Sequence, residues 1–97
     1  MELLDDDEIQ SSLRSLEGWE RDGDHITREY SVDDFVTAVD LTKAFVQPAE
    51  DLNHHPDLSV SWGSVGVSVT THDAGGLTEL DFELAEKYNR IYEEDFE

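Results

Sequence analysis

The stretch "LSVSWGSVGVSVTTH", residues 58–72, alternates apolar residues with small polar ones and has a turn signal near its centre. A period of two is typical of a β-strand that buries one face. The pattern predicts two strands joined by a turn at Gly63-Ser64. The side chains expected on one face are Leu58, Val60 and Trp62 in the first strand, and Val65, Val67, Val69 and Thr71 in the second. Residues 58–72 therefore predict a β-hairpin.

A second hairpin is predicted upstream, in "WERDGDHITREY", residues 19–30. Asp22-Gly23 is a dipeptide that favours a tight hairpin turn. After this turn, Ile26 and Tyr30 fall on the same side of the expected strand. The chain thus contains two predicted antiparallel pairs of strands.

The first and last predicted helices flank these hairpins. The first begins with the acidic run Asp5–Glu8 as its first turn, because negative charge is favoured at a helix N-terminus, and it is expected to end at Gly18. The last begins after Thr78, a residue type that is common as an N-cap. Its predicted apolar stripe consists of Leu77, Leu84, Tyr88 and Ile91.

The longest predicted helix lies between the hairpins, in "SVDDFVTAVDLTKAFVQPAEDL", residues 31–52. Ser31 is expected to be its N-cap. Pro48 is expected to end or kink it, because proline lacks the backbone donor and clashes with the preceding turn. The predicted buried stripe is Phe35, Ala38, Val39, Thr42, Phe45 and Val46.

The predicted order of elements is α-β-β-α-β-β-α. Two hairpins separated by a helix favour a four-stranded antiparallel sheet with helices on one face, which is a two-layer α+β fold. A length of 97 residues suits a single domain, residues 1–97, with one hydrophobic core.

Composition excludes several classes of function. The 25 acidic and 6 basic residues give a net charge of −19, which repels nucleic acids and anionic membranes. We interpret this excess acid as a solvated surface of the kind that halophilic proteins carry, which should destabilise the fold at low salt. The absence of cysteine excludes thiol chemistry and disulfides. No apolar run could span a bilayer and no signal peptide is evident, so a cytoplasmic protein is expected.

Four histidines are the candidate chemical groups. His54 and His55 precede Pro56, which favours an extended backbone and directs the two rings apart. Such splayed rings argue against a metal site, even with His72 as a third nitrogen. The residues alone leave two interpretations open, a proton-transfer site or a histidine that interacts with a helix C-terminus. His25, alone after a turn, is interpreted as a surface residue.

The spacing of the histidines and their neighbours resembles the pterin-4a-carbinolamine dehydratase family. The resemblance is carried by "EDLNHHPDLSVSW", residues 50–62, and "THDAGGLTELD", residues 71–81, and the segment before them is also similar. The matching positions are Glu50, His54, His55, Pro56, Trp62, His72 and Asp81. The aromatic position at Trp62 is expected to serve packing.

The resemblance implies a dehydratase that converts 4a-hydroxytetrahydropterin to quinonoid dihydropterin without metal or organic cofactor. Imidazoles titrate near neutrality and suit the two proton transfers of this elimination. His54 and His72 are then expected to contact the 4a-hydroxyl, and His55 to transfer protons. The implied partner is an aromatic amino-acid hydroxylase.

Three further residues are expected to bind or orient the substrate or the imidazoles. Glu50 precedes His54 by four residues, a helical spacing that would let its carboxylate orient that ring, or it is simply a solvated acid. Asp81 could complete a capping box with the N-cap three residues before it and could also steady His72. Pro56 is expected to shape the site.

The rival interpretation is a non-enzymatic role as a dimerisation or protein-interaction cofactor on the same fold. A sheet with free edges can extend across a partner, so a homodimer or homotetramer is expected. Substitution of the histidines separates the two interpretations, because only the enzyme depends on them.

Overall fold

The computed structural model describes residues 2–97; the predicted domain of residues 1–97 also includes Met1, which lies outside them. The order α-β-β-α-β-β-α and the α+β class are confirmed. In chain order the elements are α1 (Asp6–Arg14), β1 (Glu20–Asp22), β2 (His25–Ser31), α2 (Phe35–Leu52), β3 (Asp57–Ser61), β4 (Ser64–Val69), a 3₁₀ turn (His72–Ala74) and α3 (Glu79–Asp95).

The four strands form one antiparallel sheet in the order β1-β2-β4-β3. Both predicted hairpins are present, and β2 of the first pairs with β4 of the second. Ser61 pairs with Ser64, so the turn of the second hairpin consists of Trp62 and Gly63, one residue earlier than predicted. The edge strands of the sheet are β1 and β3.

One face of the sheet carries the hydrophobic core, and the helices cover it. Every second side chain of β4 is buried on this face, together with Ile26 and Tyr30 of β2, as the alternation predicts. The helices contribute Ile9, Ala38, Leu41, Phe45, Ala49, Leu84, Ala85, Tyr88 and Tyr92. Among the helices of residues 2–97, none combines the length and the apolar character that a bilayer crossing requires.

Helix α2 begins later than predicted, at an N-cap formed by Asp34 instead of Ser31. Ser31 is the last residue of β2 and pairs with Ser64, so the chain is still extended there. The Asp34 carboxylate accepts a hydrogen bond from the Thr37 backbone N–H at 2.8 Å. Hydrogen bonds from the side chain and the backbone of Thr37 lower the pKa of Asp34.

Pro48 does not end α2, which continues to Leu52. The Tyr88 hydroxyl donates a hydrogen bond to the Phe45 carbonyl at 2.9 Å, so a side chain of α3 supplies a donor in the turn that proline disrupts. Ala49, the residue after Pro48, is buried in the core and holds the helix against it. Burial raises the pKa of the Tyr88 phenol, which therefore remains a neutral donor.

The predicted stripe of α2 mixes two faces of the helix. The core face consists of Ala38, Leu41, Phe45 and Ala49. A second stripe, which we call the outer stripe, consists of Phe35, Val39, Thr42 and Val46. Phe35 and Val46 are each 53% exposed, so their predicted burial is wrong. The 3.6-residue period fits both stripes, which is why the sequence does not separate them.

Two other local predictions are wrong. Helix α1 ends at Arg14, and Gly18 lies in the following turn with a φ of +83°, directly against the Arg28 side chain. Trp62 is 73% exposed at the tip of the second hairpin and packs against no core, because it is a turn residue instead of a strand residue.

Candidate functional site

All four histidines lie at one end of the sheet. His25 begins β2, and His54 and His55 precede β3. His72 follows β4, whose final residues pair with the first residues of both β2 and β3. The antiparallel register therefore gathers three separate segments at the same end, including His25, which the sequence interpretation left out.

The C-terminus of α2 fixes the position of His54. Asn53 adopts a left-handed conformation, with a φ of 49°, and ends the helix. The His54 backbone N–H then donates to the Ala49 carbonyl at 2.9 Å. This reversal sends His54 inward, where it is 8% exposed, and leaves His55 outside.

A buried histidine–carboxylate pair forms beneath this helix end. The His54 Nε2 lies 2.6 Å from Asp81 Oδ1, and Asp81 is fully buried. The other carboxylate oxygen accepts hydrogen bonds from the Thr71 hydroxyl at 2.8 Å and from the Thr78 N–H at 2.9 Å. A carboxylate with three donors is well satisfied in the interior.

The predicted capping box of α3 is confirmed, since Asp81 bonds the backbone N–H of Thr78 and Thr78 caps the helix. The predicted contact between Asp81 and His72 is wrong, because Asp81 binds the ring of His54. It reaches the neighbour of His72, Thr71, whose hydroxyl also lies 2.8 Å from that of Thr78. Asp81 thus ties the segment after β4 to the end of α2.

The hydrogen bonds of Asp81 determine which nitrogen of His54 is free. A buried carboxylate that accepts two other hydrogen bonds requires Nε2 of His54 to be the donor. Its Nδ1 makes no hydrogen bond, yet none of the described buried polar atoms lacks a partner, so Nδ1 reaches the surface. Nδ1 is therefore the atom of His54 that can exchange a proton with a ligand.

A second pair joins His55 to Glu50. The His55 Nε2 lies 2.5 Å from Glu50 Oε2, and the two side chains are 60% and 59% exposed. The prediction that Glu50 orients His54 is therefore wrong, because the left-handed turn after α2 brings the next histidine over the last helical turn. In this pair too, Nε2 is tied to a carboxylate and Nδ1 is left free.

His72 and Pro56 complete the predicted set. His72 is exposed as the first residue of the 3₁₀ turn, and its ring lies 6.5 Å from that of His25, centroid to centroid. Pro56 is half-buried between His55 and the first residue of β3. The sequence contained no sign that His25 belongs here, because the adjacency of β2 and β4 follows from the topology of the sheet.

Within residues 2–97, the histidines line neither of two larger cavities and do not form a cluster that could bind a metal ion. A cavity of about 590 Å³ lies between α1 and α3, and a cavity of about 380 Å³ lies on the open face of the sheet. No histidine lines either cavity. Within residues 2–97, no cluster of three or more histidine or carboxylate side chains could hold a metal ion. The histidines present their free nitrogens on the surface at the end of the sheet.

Fold and site together define a small two-layer α+β protein with paired imidazoles and carboxylates at the end of its sheet. Residues 2–91 match the family described as pterin 4 alpha carbinolamine dehydratase. The chain belongs to the pterin-4a-carbinolamine dehydratase family.

Individual relatives cover nearly the whole chain. One from Trichormus variabilis and one from Natronomonas pharaonis, both provisionally described as pterin-4-alpha-carbinolamine dehydratases, are 42% and 41% identical over 90 residues. Each alignment covers 93% of this chain, and 97% and 96% of the respective relative.

Solved structures share the fold. A protein from Brucella melitensis, described as a transcriptional coactivator/pterin dehydratase, is 36% identical with a TM-score of 0.88, covering 93% of this chain and 98% of that one. A pterin dehydratase-like protein, described as a RuBisCO assembly factor in the alpha-carboxysome, is 11% identical with a TM-score of 0.60, over 75% and 84% of the chains. The latter likeness concerns the fold alone.

Proposed function

We propose that this protein eliminates water from 4a-hydroxytetrahydropterin to give quinonoid dihydropterin, by histidine acid–base catalysis and without a cofactor. The observation that carries the proposal is the buried pair of His54 and Asp81, which leaves one imidazole nitrogen free at the surface. Family membership supplies the substrate class.

The elimination requires the transfer of one proton to the substrate and the removal of another proton from it. The 4a-hydroxyl leaves as water when it receives a proton, and the pterin ring gives up a proton as its new double bond forms. Imidazole is suited to both steps, because it carries or lacks its second proton near neutral pH. The proton count of the protein is unchanged once the two transfers are complete.

In this proposal His54 and His72 bind the 4a-hydroxyl, and the proton that leaves with the water comes from these two imidazoles. His55 takes the ring proton at Nδ1 and exchanges it with solvent, to which its side chain is 60% exposed. Asp81 and Glu50 hold the two imidazoles by their Nε2 atoms, which keeps both Nδ1 atoms available. Pro56 keeps the preceding residue, His55, in an extended conformation.

The proposal is tested by supplying enzymatically generated 4a-hydroxytetrahydropterin and following its ultraviolet absorbance. We expect the protein to accelerate the loss of the carbinolamine over the buffer rate, in proportion to protein concentration. A rate equal to that of buffer, with folded protein, would reject the dehydratase.

We also propose a cytoplasmic protein, adapted to high salt by its acidic surface, that acts beside an aromatic amino-acid hydroxylase as the source of its substrate. The net charge of −19 supports the salt adaptation, since dissolved ions screen repulsion between exposed carboxylates.

A homo-oligomer is supported by the outer stripe of α2. Phe35, Val39, Thr42 and Val46 follow the spacing of a helix-pairing seam, yet Phe35 and Val46 each remain 53% exposed. A second copy would bury this stripe as a homodimer, and the free edge strand β3 offers a further contact for a homotetramer. The same surface favours the second candidate function, a non-enzymatic interaction cofactor.

Val46→Glu should dissociate the oligomer, because it places a charge in the centre of the proposed seam. Sedimentation of the variant should show a smaller species than the wild type. The control is Val36→Glu, the same substitution on the polar side of α2, where the residue is 68% exposed. A wild type that is already monomeric, or equal effects of the two variants, would contradict the proposed seam.

A further inference from the structure

The ring of His25 is in aromatic contact with the ring of His72. The centroids are 6.5 Å apart and the planes are inclined by 78°, which is the edge-to-face arrangement that aromatic pairs prefer. The two residues are far apart in sequence and meet because β2 and β4 are neighbours.

His25 is held firmly enough to act as a support. Its Nδ1 lies 3.0 Å from the Ser68 hydroxyl on the adjacent strand, and its side chain is half-buried. The strand pairing also fixes the backbone next to His25, with Ile26 opposite Val69. Both the position and the direction of the His25 ring are therefore determined by the sheet.

His72 has no comparable support of its own. It is exposed at the start of a 3₁₀ turn, and its ring makes no hydrogen bond to any side chain or backbone group of residues 2–97. An exposed side chain of this kind samples several rotamers unless a neighbour restricts it. In the described part of the chain, the aromatic neighbour that can do so is His25.

We propose that His25 is a positioning residue that holds the His72 imidazole in the orientation needed for catalysis. The inference rests on the proposed dehydratase function, in which His72 contacts the 4a-hydroxyl. His25 acts through the edge-to-face contact and not by touching the substrate. The hydroxyl of Ser68 contributes indirectly, because it fixes the ring of His25.

The kinetic test compares His25→Ala with His25→Phe. We expect His25→Ala to lower kcat about 2- to 10-fold, the range that corresponds to the loss of one edge-to-face contact, with a smaller change in KM. His25→Phe keeps an aromatic edge against His72 and should restore most of the lost kcat. Ser68→Ala, which frees the His25 ring without removing it, should fall between them.

A matched control and a structural readout separate positioning from other effects. Thr27→Ala alters the same strand two residues further on, on the same face as His25, and should leave kcat unchanged. The ring resonances of His72 in NMR spectra should shift in His25→Ala, because its ring neighbour is gone, and should stay perturbed by an aromatic ring in His25→Phe. Cooperative thermal unfolding of each variant establishes that it is folded.

Two results would overturn the inference. The first is a His72 ring signal that is the same in wild type and His25→Ala. The second is a His25→Phe variant as slow as His25→Ala, since the imidazole itself would then be needed. If the wild type shows no dehydration but the His72 resonances respond as expected, the positioning stands and the proposed function fails.

Discussion

His54→Gln should slow dehydration of 4a-hydroxytetrahydropterin by about 10²- to 10⁴-fold, the usual contribution of a positioned acid–base group. Glutamine can still donate an amide N–H toward Asp81, whose carboxylate is buried and needs its donors. It has no nitrogen that gains and loses a proton near neutral pH. The chemistry is thus removed while the local hydrogen bonding is kept, and steady-state kinetics measure the loss.

His54→Ala provides the comparison for this variant. It also removes the imidazole, but it deprives the buried carboxylate of a donor, at a cost of about 1.5–3 kcal/mol in the free energy of unfolding. We therefore expect both variants to be slow and only His54→Ala to be clearly destabilised in denaturant titrations. A His54→Gln protein that dehydrates its substrate at the wild-type rate would remove His54 from the catalytic site.

Asp81→Asn should be nearly as damaging to the reaction, again by about 10²- to 10⁴-fold, although Asp81 is buried and reaches no substrate. The carboxylate accepts from His54 on one oxygen and from Thr71 and Thr78 on the other. An asparagine that keeps the latter two hydrogen bonds turns its amide N–H₂ toward His54. His54 must then accept at Nε2 and carry its proton at Nδ1, which reverses the tautomer and opposes the doubly protonated form.

The measurement combines kinetics with nitrogen-15 NMR of the His54 ring, which distinguishes the two tautomers directly. Asp95→Asn is the matched control, since it makes the same change on an exposed residue of the same helix. We expect the control to keep wild-type activity and the wild-type tautomer. An active Asp81→Asn protein, or a slow one whose His54 tautomer is unchanged, would contradict the role given to Asp81.

Strands β2 and β4 were predictable because one face of each is buried, whereas their order in the sheet was not. The valines at positions 65, 67 and 69 alternate with small polar residues, so only one register of strand pairing places all three on the buried face. The same holds for Ile26 and Tyr30 of β2. Thr78 and Asp81 form the predicted capping box, because that interaction is local in sequence.

The ends and faces of α2 were less predictable, because they depend on tertiary contacts. Propensity favours Ser31 as a cap, but the pairing of β2 with β4 keeps that residue extended. Pro48 lies inside the helix because the Tyr88 hydrogen bond to the Phe45 carbonyl and the burial of Ala49 hold the surrounding turns against the core. Periodicity also could not say that Phe35 and Val46 lie on the outer stripe.

The sequence indicated which residues to consider for the candidate site, but not how their side chains pair. Helical spacing joins Glu50 to His54, whereas the left-handed Asn53 turns the chain and joins Glu50 to His55 instead. Asp81 is then left for the histidine that points inward. His25 was missed because its neighbour is set by the order of strands, which no local pattern encodes.

The most direct measurement is a titration of the isotope-labelled protein with a stable 7,8-dihydropterin, which keeps the flat bicyclic ring of the product. Histidine ring resonances and backbone amides then report where the ligand binds. We expect saturable shifts of the His54, His55 and His72 rings, with the amides around Asp7 and Glu83 in the α1–α3 cavity unchanged. Saturable shifts confined to that cavity, or unmoved histidine rings at saturating ligand, would contradict a pterin site at the end of the sheet.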